Sequence, residues 1–269
     1  MSEVRRAIVI AAGRGRRLGQ HTEEIPKCLV EVGGQPILGW VWQALRRSGI
    51  DEVVMIRGYR GDVLEAGTRR LGIPARFVEN PEWATNNVLL SLACARREID
   101  RPCAILYSDI VFSPAVAKAC IDSPAEVGLV VDRDFRSVYE GRDQHPLEEA
   151  EVCDLDPVGR ISRVGKRALP VDAAIGEFIG LAKLGAQGAT WVRTRLDQLM
   201  EEYAGRHDHP FQRATRFANA YLTDLLQDLV GQGRRLDPVF IDGEWREIDT
   251  DQDLAKAQDL LGSYPSPWQ

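Results

Sequence analysis

The stretch Ala7-Ile-Val-Ile-Ala-Ala-Gly-Arg-Gly-Arg-Arg-Leu-Gly19 decides the predicted fold. Its first six residues form a continuous apolar run that ends at Gly13. A short run of this kind is typical of a strand buried on both faces of a parallel sheet. The stretch therefore predicts a central strand that is followed by a glycine-rich loop.

Helical and strand patterns alternate after this loop. Apolar residues recur at helical spacing over residues 36–49, and Glu52–Arg57 reads as the next strand. The same patterns predict helices over residues 63–71 and 86–97 and strands over 75–78 and 103–107. The alternation predicts an α/β fold with a doubly wound, mixed and mostly parallel Rossmann-like sheet.

The pattern changes after Asp109. We predict strands over residues 127–132, 176–184 and 239–241, a hairpin over 151–164, and helices over 190–203, 218–231 and 252–261. Because some of these strands would run antiparallel, we expect a small β-rich insertion. The length and the 44% hydrophobic content suit one domain, 1–269, which we divide into the parts 1–125, 126–240 and 241–269, the last with a short tail.

Composition excludes several classes of protein. Thirty-four Lys and Arg against forty Asp and Glu leave a net charge of -6, which disfavours nucleic acid as a partner. The five cysteines show no CxxC spacing, so neither a disulfide framework nor a zinc site is indicated. The N-terminal apolar run is too short for a signal peptide or a membrane span. We expect a cytoplasmic protein that does not bind membranes.

Glycines after a buried strand let consecutive backbone N–H groups converge on phosphate oxygens. The arginines of this loop add positive charge. A Rossmann fingerprint needs glycine where Leu18 stands, and no GxxxxGK[ST] occurs, so dinucleotide-binding and P-loop sites fit poorly. Taken alone, the loop is also compatible with a tight turn that binds nothing.

The strings Ala11-Ala-Gly-x-Gly-x-Arg-Leu18, Pro26-Lys27 and Pro36-Ile37 together resemble the signature of the nucleotidyltransferase superfamily, which includes sugar-1-phosphate and phosphocholine transferases. The resemblance implies that 1–125 is the NTP-binding half and 126–240 the acceptor-binding half. It implies that Arg17 contacts the triphosphate and that Lys27 lies by the reacting phosphates. The residues implied to wrap the NTP are Ala11, Ala12, Gly13, Arg14, Gly15 and Arg16.

Two aspartates are the predicted magnesium ligands. Asp109 follows the predicted strand 103–107 at its carboxyl end, where open α/β sheets bind ligands. Mg²⁺ usually takes one or two carboxylates plus phosphate oxygens, so a partner is expected. The stretch Trp245-Arg-Glu-Ile-Asp-Thr-Asp-Gln-Asp-Leu254 resembles the family's C-terminal motif, in which the first aspartate, here Asp249, binds the metal. Asp251 and Asp253 are expected to cap the next helix. Ordinary strand-end or N-cap carboxylates are the alternative for Asp109 and Asp249.

The stretch Trp83-Ala-Thr-Asn-Asn-Val-Leu-Leu-Ser-Leu92 resembles the asparagine-rich segment of phosphocholine and aminoethylphosphonate cytidylyltransferases, which favours CTP. Amide groups match the donor and acceptor edge of a pyrimidine or the ribose hydroxyls. Asn86, Asn87 and Ser91 are the predicted nucleotide contacts. Helix capping by Thr85 or Asn86 is the alternative.

Three later segments, which start at Gly159, Gly176 and Tyr221, resemble acceptor-side segments of the same enzymes. The resemblance implies that Lys166 neutralises the acceptor phosphate or phosphonate, opposite Lys27. Glu177 and Asp224 are candidates to receive an ammonium group of the acceptor. Simple solvation is the alternative for both. An aromatic cage for a quaternary ammonium needs several converging rings, which spacing does not establish.

The sequence thus predicts a magnesium-dependent cytidylyltransferase that transfers CMP from CTP to phosphocholine, 2-aminoethylphosphonate or a similar acceptor and releases pyrophosphate. The insertion over residues 127–184 could also mediate a homodimer. One alternative is a sugar-1-phosphate nucleotidyltransferase that uses UTP or dTTP, and another is a non-catalytic nucleotide-binding regulator. A nicotinamide-dependent dehydrogenase is disfavoured because no acidic residue ends the second strand.

Overall fold

The computed structural model describes residues 4–262. The strands in this range are β1 Arg6–Ile10, β2 Glu31–Val32, β3 Gln35–Pro36, β4 Glu52–Arg57, β5 Ala75–Glu79, β6 Cys103–Tyr107, β7 Ile110–Phe112, β8 Val127–Asp132, β9 Glu151–Leu155, β10 Ile161–Lys166, β11 Gly176–Leu184, β12 Asp237–Ile241 and β13 Trp245–Glu247. The α-helices are α1 Ile37–Arg47, α2 Gly61–Arg70, α3 Val88–Cys94, α4 Pro114–Asp122, α5 Phe135–Tyr139, α6 Ala186–Glu202, α7 Leu222–Gly231 and α8 Asp251–Gly262. The predicted tail, 263–269, lies outside the described residues.

Strand β1 lies at the centre of the parallel part of a nine-stranded sheet. It pairs in parallel with β4 on one side and with β6 on the other, and β5 continues the sheet in parallel beyond β4. All five β1 residues are buried. Ala7 and Val9 pack into one hydrophobic cluster, whereas Ile8 and Ile10 pack into a second cluster on the other face. This alternation confirms a central strand that is covered on both faces.

The second half of the chain extends the same sheet with antiparallel strands. β11 pairs antiparallel with both β6 and β8 over its last residues and with β9 at Gly176 and Glu177, and β9 and β10 form the predicted hairpin. β12 pairs in parallel with β8. These pairings confirm the predicted α/β fold, with a mixed sheet whose centre is parallel.

Helices cover both faces of the sheet. Helices α1, α4 and α8 contribute buried residues to one cluster, and α3, α6 and α7 contribute to the other. A third, smaller cluster includes Phe135, Tyr139, Val152 and Leu169 and joins α5 to the β9–β10 hairpin. Within residues 4–262, no helix combines the length and the apolar character that crossing a membrane would require.

Several predicted boundaries were wrong. The helix predicted over residues 86–97 is shorter, because Asn87 is extended and α3 ends at Cys94. The helix predicted from residue 218 begins at Leu222. Sequence analysis also missed α4, although Ser113 accepts a hydrogen bond from the Val116 N–H and Pro114 occupies the first helical position. Both are recognisable helix-start signals.

Candidate active site

A cavity opens at the carboxyl ends of β1 and β6, where ligands bind in open α/β sheets. Its volume is about 370 Å³. The predicted site residues that line it are Gly13, Gly15, Arg16, Arg17, Lys27, Asn86, Asn87, Ser91, Asp109, Lys166, Glu177 and Asp249. Folding therefore brings one set of side chains together from the two ends and the middle of the chain.

The glycine loop packs directly against Lys27. Gly15 has φ +71°, and a Cβ added there would lie 2.9 Å from carbons of the Lys27 side chain. Glycine is favoured by both the left-handed backbone and the close approach. The Ala11 N–H donates to the Ile56 carbonyl, and the Ala12 carbonyl accepts from the Tyr59 N–H, each at 2.9 Å. These two alanines anchor the loop to the residues of and after β4 instead of lining the cavity.

Arg14 is the other predicted loop residue that does not line the cavity. Its guanidinium lies over the Tyr59 ring, 5.5 Å from the ring centroid. Arg16 and Arg17 do line it, and Arg17 forms an ion pair with Asp249. The positive charge that this loop presents to the cavity thus comes from Arg16 and Arg17.

Lys27 joins the two predicted metal ligands. Its ammonium is almost wholly buried, with 6% of the residue exposed, and donates to Asp109 Oδ2 at 2.9 Å and to Asp249 Oδ1. Burial alone would lower the pKa of Lys27, but the two carboxylates raise it above its ordinary value. Burial would raise the pKa of Asp249, yet Lys27 and Arg17 hold it well below the usual range. Both groups are therefore charged.

The carboxylates fit a hard divalent cation. Asp109 Oδ1 is buried and has no hydrogen-bond partner among residues 4–262. Ligand atoms of Asp249, Glu247 and His145 lie within 4.8 Å of one another. Because Mg²⁺ prefers oxygen ligands and is commonly held by one or two carboxylates, the oxygens of Asp109, Asp249 and Glu247 suit it better than the imidazole.

Sequence analysis missed Glu247, Arg142 and His145. Glu247 is two residues before Asp249 at the end of β13, and burial together with Asp249 and Asp109 raises its pKa well above the ordinary range. The C-terminal motif at residues 245–254 contains Glu247, so its position at the end of a strand could have identified it as a site residue. Arg142 and His145 lie in a loop with no recognisable motif, and only the structure locates them at the site.

This loop packs onto the metal-side carboxylates. The buried Arg142 approaches Asp253 Oδ1 at 2.7 Å and Glu247 Oε2 at 3.3 Å. His145 Nδ1 lies 3.3 Å from Asp249 Oδ2. The His145 pKa is lowered to about 4, mainly by burial and secondly by the positive charge of Arg142. The other oxygen of Asp253 accepts from the Asp249 and Thr250 N–H groups, the capping role expected for it.

Asparagine side chains shape the cavity wall near α3. Asn80, which sequence analysis missed, is fully buried and donates to Asn86 Oδ1 at 2.8 Å and to Ser91 Oγ at 2.9 Å. Asn87 donates to the Asn219 carbonyl at 3.0 Å. Within the described chain no side chain caps α3, so the capping alternative for Asn86 and Thr85 was wrong. Asn80 thus fixes the orientation of two predicted nucleotide contacts.

Carboxylates, hydroxyls and Lys166 surround the part of the cavity that β9, β10 and β11 line, which we call the far end. Glu177, 4% exposed, accepts from the Tyr139 hydroxyl at 2.7 Å through Oε1. Glu151 accepts from the Tyr107 and Thr223 hydroxyls at 3.0 and 3.1 Å. Burial is the largest cause that raises the pKa of Glu177 to about 8 and that of Glu151 to about 7.

Lys166 lies between this end and a neighbouring cavity. Its ammonium is 3.3 Å from Glu149 Oε2 and lies over the Tyr221 ring, 4.9 Å from the ring centroid. Asp224 borders only the neighbouring cavity of the two. Its oxygens accept from the Tyr221 N–H at 2.8 Å and the Arg213 N–H at 3.1 Å, so both cap the backbone before α7.

Comparisons with known proteins agree with this geometry. Residues 7–167 match the family described as the MobA-like NTP transferase domain. A CTP:phosphoglutamine cytidylyltransferase of Campylobacter jejuni is 31% identical over 254 residues, which cover 92% of this chain and 97% of that protein. A 2-aminoethylphosphonate cytidylyltransferase of Lancefieldella rimae is 28% identical over 65% of this chain and 66% of its own length.

The solved structure of CTP:phosphocholine cytidylyltransferase from Streptococcus pneumoniae superposes with a TM-score of 0.71 at 20% identity, covering 96% of this chain and 100% of that one. This likeness supports the fold. Sugar-phosphate nucleotidyltransferases are also among the similar proteins. The family match covers well over half of the chain, and the Campylobacter jejuni relative is matched over nearly its whole length. The chain therefore belongs to the MobA-like NTP transferase family and is a nucleotidyltransferase.

Proposed function

We propose that the chain is a CTP-dependent cytidylyltransferase that transfers CMP to a small phosphorylated or phosphonate acceptor and releases pyrophosphate. The observation that carries the proposal is the polarity of the cavity. Arg16, Arg17 and Lys27 line the cavity beside the carboxylates of Asp109 and Asp249, and Lys166 lines it from the β9–β10 hairpin. Cations supplied by separate elements of one cavity suit two anionic substrates that react there.

An oxygen of the acceptor phosphate or phosphonate attacks the α-phosphorus of CTP. The bond between this phosphorus and the oxygen that bridges to the β-phosphate breaks, and the electron pair leaves with pyrophosphate. The acceptor dianion is already nucleophilic at neutral pH, so no side chain has to remove a proton. Catalysis then consists of positioning and charge neutralisation, as in other phosphoryl-type transfers.

Most of the predicted residues that line the cavity have a part in this proposal. Arg16, Arg17 and the Gly13–Gly15 backbone hold the triphosphate, and Lys27 stabilises charge on the reacting phosphates. Asp109 and Asp249, with Glu247 beside them, would hold Mg²⁺, which supplies charge neutralisation at the phosphates when bound. Lys166 orients the anionic group of the acceptor.

Nucleotide choice is assigned to the amides near α3. Asn86, held by Asn80, and Ser91 line the cavity and can match a pyrimidine edge or the ribose hydroxyls. The cytidylyltransferase relatives agree with CTP as the donor. A cytoplasmic location and a homodimer stay predictions.

Pyrophosphate release tests the proposal. Purified protein with Mg²⁺ is assayed with CTP, UTP, ATP, GTP and dTTP against phosphoethanolamine, phosphocholine, 2-aminoethylphosphonate, phosphorylated amino acids and glucose 1-phosphate. We expect release with CTP and a phosphorylated or phosphonate amine. Turnover with UTP or dTTP and glucose 1-phosphate would replace the proposal with a sugar-phosphate nucleotidyltransferase. Nucleotide binding without any turnover would favour a regulatory protein.

A further inference from the structure

On the basis of the proposed cytidylyl transfer, we propose that the acceptor carries a protonated amine with N–H bonds, and that Glu177 receives this amine. A quaternary ammonium, as in choline, would be selected against. The inference names the chemical class of the acceptor end that lies away from its phosphorus. It is argued from the contacts of the carboxylates and aromatic rings at the far end of the cavity.

The acidic side chains at this end differ in what already contacts them. Glu149 is paired with Lys166 and Arg167, at 3.3 and 2.9 Å. Both oxygens of Glu151 accept hydrogen bonds from hydroxyl groups. Among the described residues, Glu177 Oε2 is buried and accepts no hydrogen bond. Glu177 is thus the carboxylate here with an acceptor atom left for a ligand.

An N–H donor satisfies such an oxygen, whereas an N-methyl group cannot. In the ionised form of Glu177 the buried Oε2 without a donor is unfavourable, and a hydrogen bond from a charged donor is stronger than one from a neutral donor. A quaternary ammonium would bring charge but would leave Oε2 without a hydrogen bond. Geometry at Glu177 therefore favours a primary or secondary ammonium.

The aromatic rings of the cavity do not form a site for a quaternary ammonium. Proteins bind quaternary ammonium groups on the faces of several converging rings. Here the chain's own cations already lie over two of the rings: Arg142 is 4.6 Å from the Tyr139 centroid, and Lys166 is 4.9 Å from the Tyr221 centroid. Two of the faces that a cage would use are therefore taken by protein side chains.

Other rings at the cavity are also engaged. Tyr107 packs against Gly180 so closely that a Cβ added there would lie 2.3 Å from the ring, and its edge contacts Phe178. Trp83 makes an edge contact with Tyr59 beside the glycine loop. Trp245 is buried and donates to Asp132 at 2.7 Å. The lining rings thus support carboxylates and loops of the protein itself.

A matched pair of acceptors tests the inference. Phosphoethanolamine and phosphocholine have the same phosphate and differ by three N-methyl groups. We measure kcat/KM for pyrophosphate release with CTP, and calorimetric binding of each acceptor to the wild-type chain. We expect phosphoethanolamine to be favoured by at least about tenfold, the effect of one charge-assisted hydrogen bond.

The Glu177→Gln variant tests whether Glu177 causes the preference for phosphoethanolamine over phosphocholine. The amide removes the charge but keeps an oxygen for the Tyr139 hydroxyl. We expect the variant to lose most of the phosphoethanolamine activity while phosphocholine activity changes little. Asp154→Asn is the matched control, because Asp154 is a carboxylate of β9 that pairs with Arg163 and does not line the cavity. Thermal melting checks that both variants are folded.

The wild-type comparison decides the inference even if Glu177→Gln does not fold. Equal or better use of phosphocholine overturns it, and so does a folded Glu177→Gln variant that weakens both acceptors to the same degree. Absence of pyrophosphate release with every NTP and acceptor would instead refute the proposed function. In that event calorimetry still applies: binding of neither compound, or of both equally, overturns the inference.

Discussion

The two ends of the cavity hold buried carboxylates in opposite environments. At the nucleotide end, Asp249 contacts the cations of Lys27 and Arg17, which hold its pKa well below the usual range. At the far end, Glu177 and Glu151 contact hydroxyl groups, and burial raises their pKa values to about 8 and about 7. Asp249 is therefore held in its charged form, whereas Glu177 and Glu151 titrate near neutrality.

This difference shows that the groups in contact with a buried carboxylate determine whether it suits a metal ion or a cationic ligand. A carboxylate with a lowered pKa stays anionic and suits a metal ion. A carboxylate with a raised pKa and a hydroxyl partner can gain its charge when a cationic ligand arrives. Removing one of these carboxylates, or a partner of one, should reveal its role, and four experiments examine this.

Asp249→Asn should have the largest effect. It removes a charge from the nucleotide end and leaves the Lys27 ammonium with Asp109 alone. We expect kcat/KM for pyrophosphate release to fall by about 100- to 1,000-fold, the loss typical for one group that stabilises transition-state charge. Asp251→Asn, an exposed carboxylate two residues away, should retain wild-type activity. Near wild-type activity in the Asp249→Asn variant would show that the metal-side assignment is wrong.

Lys27→Met should disrupt the nucleotide end by removing the cation that lies between Asp109 and Asp249. Without the ammonium, Asp109 and Asp249 would repel each other in a buried place, so we expect a lower Tm and a loss of activity of about 100-fold. Because Mg²⁺ can replace the missing charge, it should raise the Tm of the variant more than that of the wild type. A magnesium effect on Tm that is no larger in the variant would contradict this reading.

Glu177→Gln should reveal the pH dependence of the far end. The folded protein holds the Glu177 proton up to about pH 8, whereas the unfolded chain releases it near the ordinary value of about 4.5. Between these values the folded state binds more protons, so stability contributed by protonated Glu177 is lost as pH rises. Burial is the largest cause of this raised pKa, and the neighbouring Tyr139, Arg142, Glu151 and Asp132 are unchanged in the variant.

We therefore expect the Tm of Glu177→Gln relative to the wild type to increase by at least about 3 °C between pH 5 and pH 9. Thermal melts in matched buffers measure this difference. Asp154→Asn provides the control, since its difference from the wild type should stay flat over the same range. A Glu177→Gln difference that is also flat would mean that Glu177 is already ionised at pH 5.

Asp224→Asn should have the smallest effect and would sharpen the contrast with Glu177. Both Asp224 oxygens accept backbone N–H groups, and asparagine keeps one acceptor. We expect a loss of about 1 kcal/mol, or 2–4 °C in Tm, and an unchanged acceptor KM. A large rise in the acceptor KM with unchanged Tm would restore Asp224 to the acceptor site.

Much of the fold followed from local pattern. Strand β1 and the glycine loop were predicted because a short apolar run ended by glycine has few alternative structures. Strands β4, β6, β8 and β11 began and ended where predicted. Helix ends were less accurate, since the backbone is extended at Asn87 and Tyr221, immediately before α3 and α7 begin.

The candidate site was only partly predictable. Asp109 was found because a residue just past the end of a parallel strand must lie at the ligand-binding edge of the sheet. Asn80 was missed because its role is to hold Asn86 and Ser91, and a supporting residue carries no motif of its own. Arg142 and His145 were missed for the same reason.

The sequence by itself determined the α/β fold, the glycine loop and the place of Asp109 at a strand end, because strand polarity and short-range pattern are local properties. Asp249 was identified from the resemblance of residues 245–254 to the family's C-terminal motif. Only the tertiary structure decided that Lys27 joins Asp109 and Asp249, which are 82 and 222 residues away along the chain. It also decided that Glu177 meets a hydroxyl and not a cation. Which groups surround a buried carboxylate depends on the packing of distant segments, and those groups set its charge.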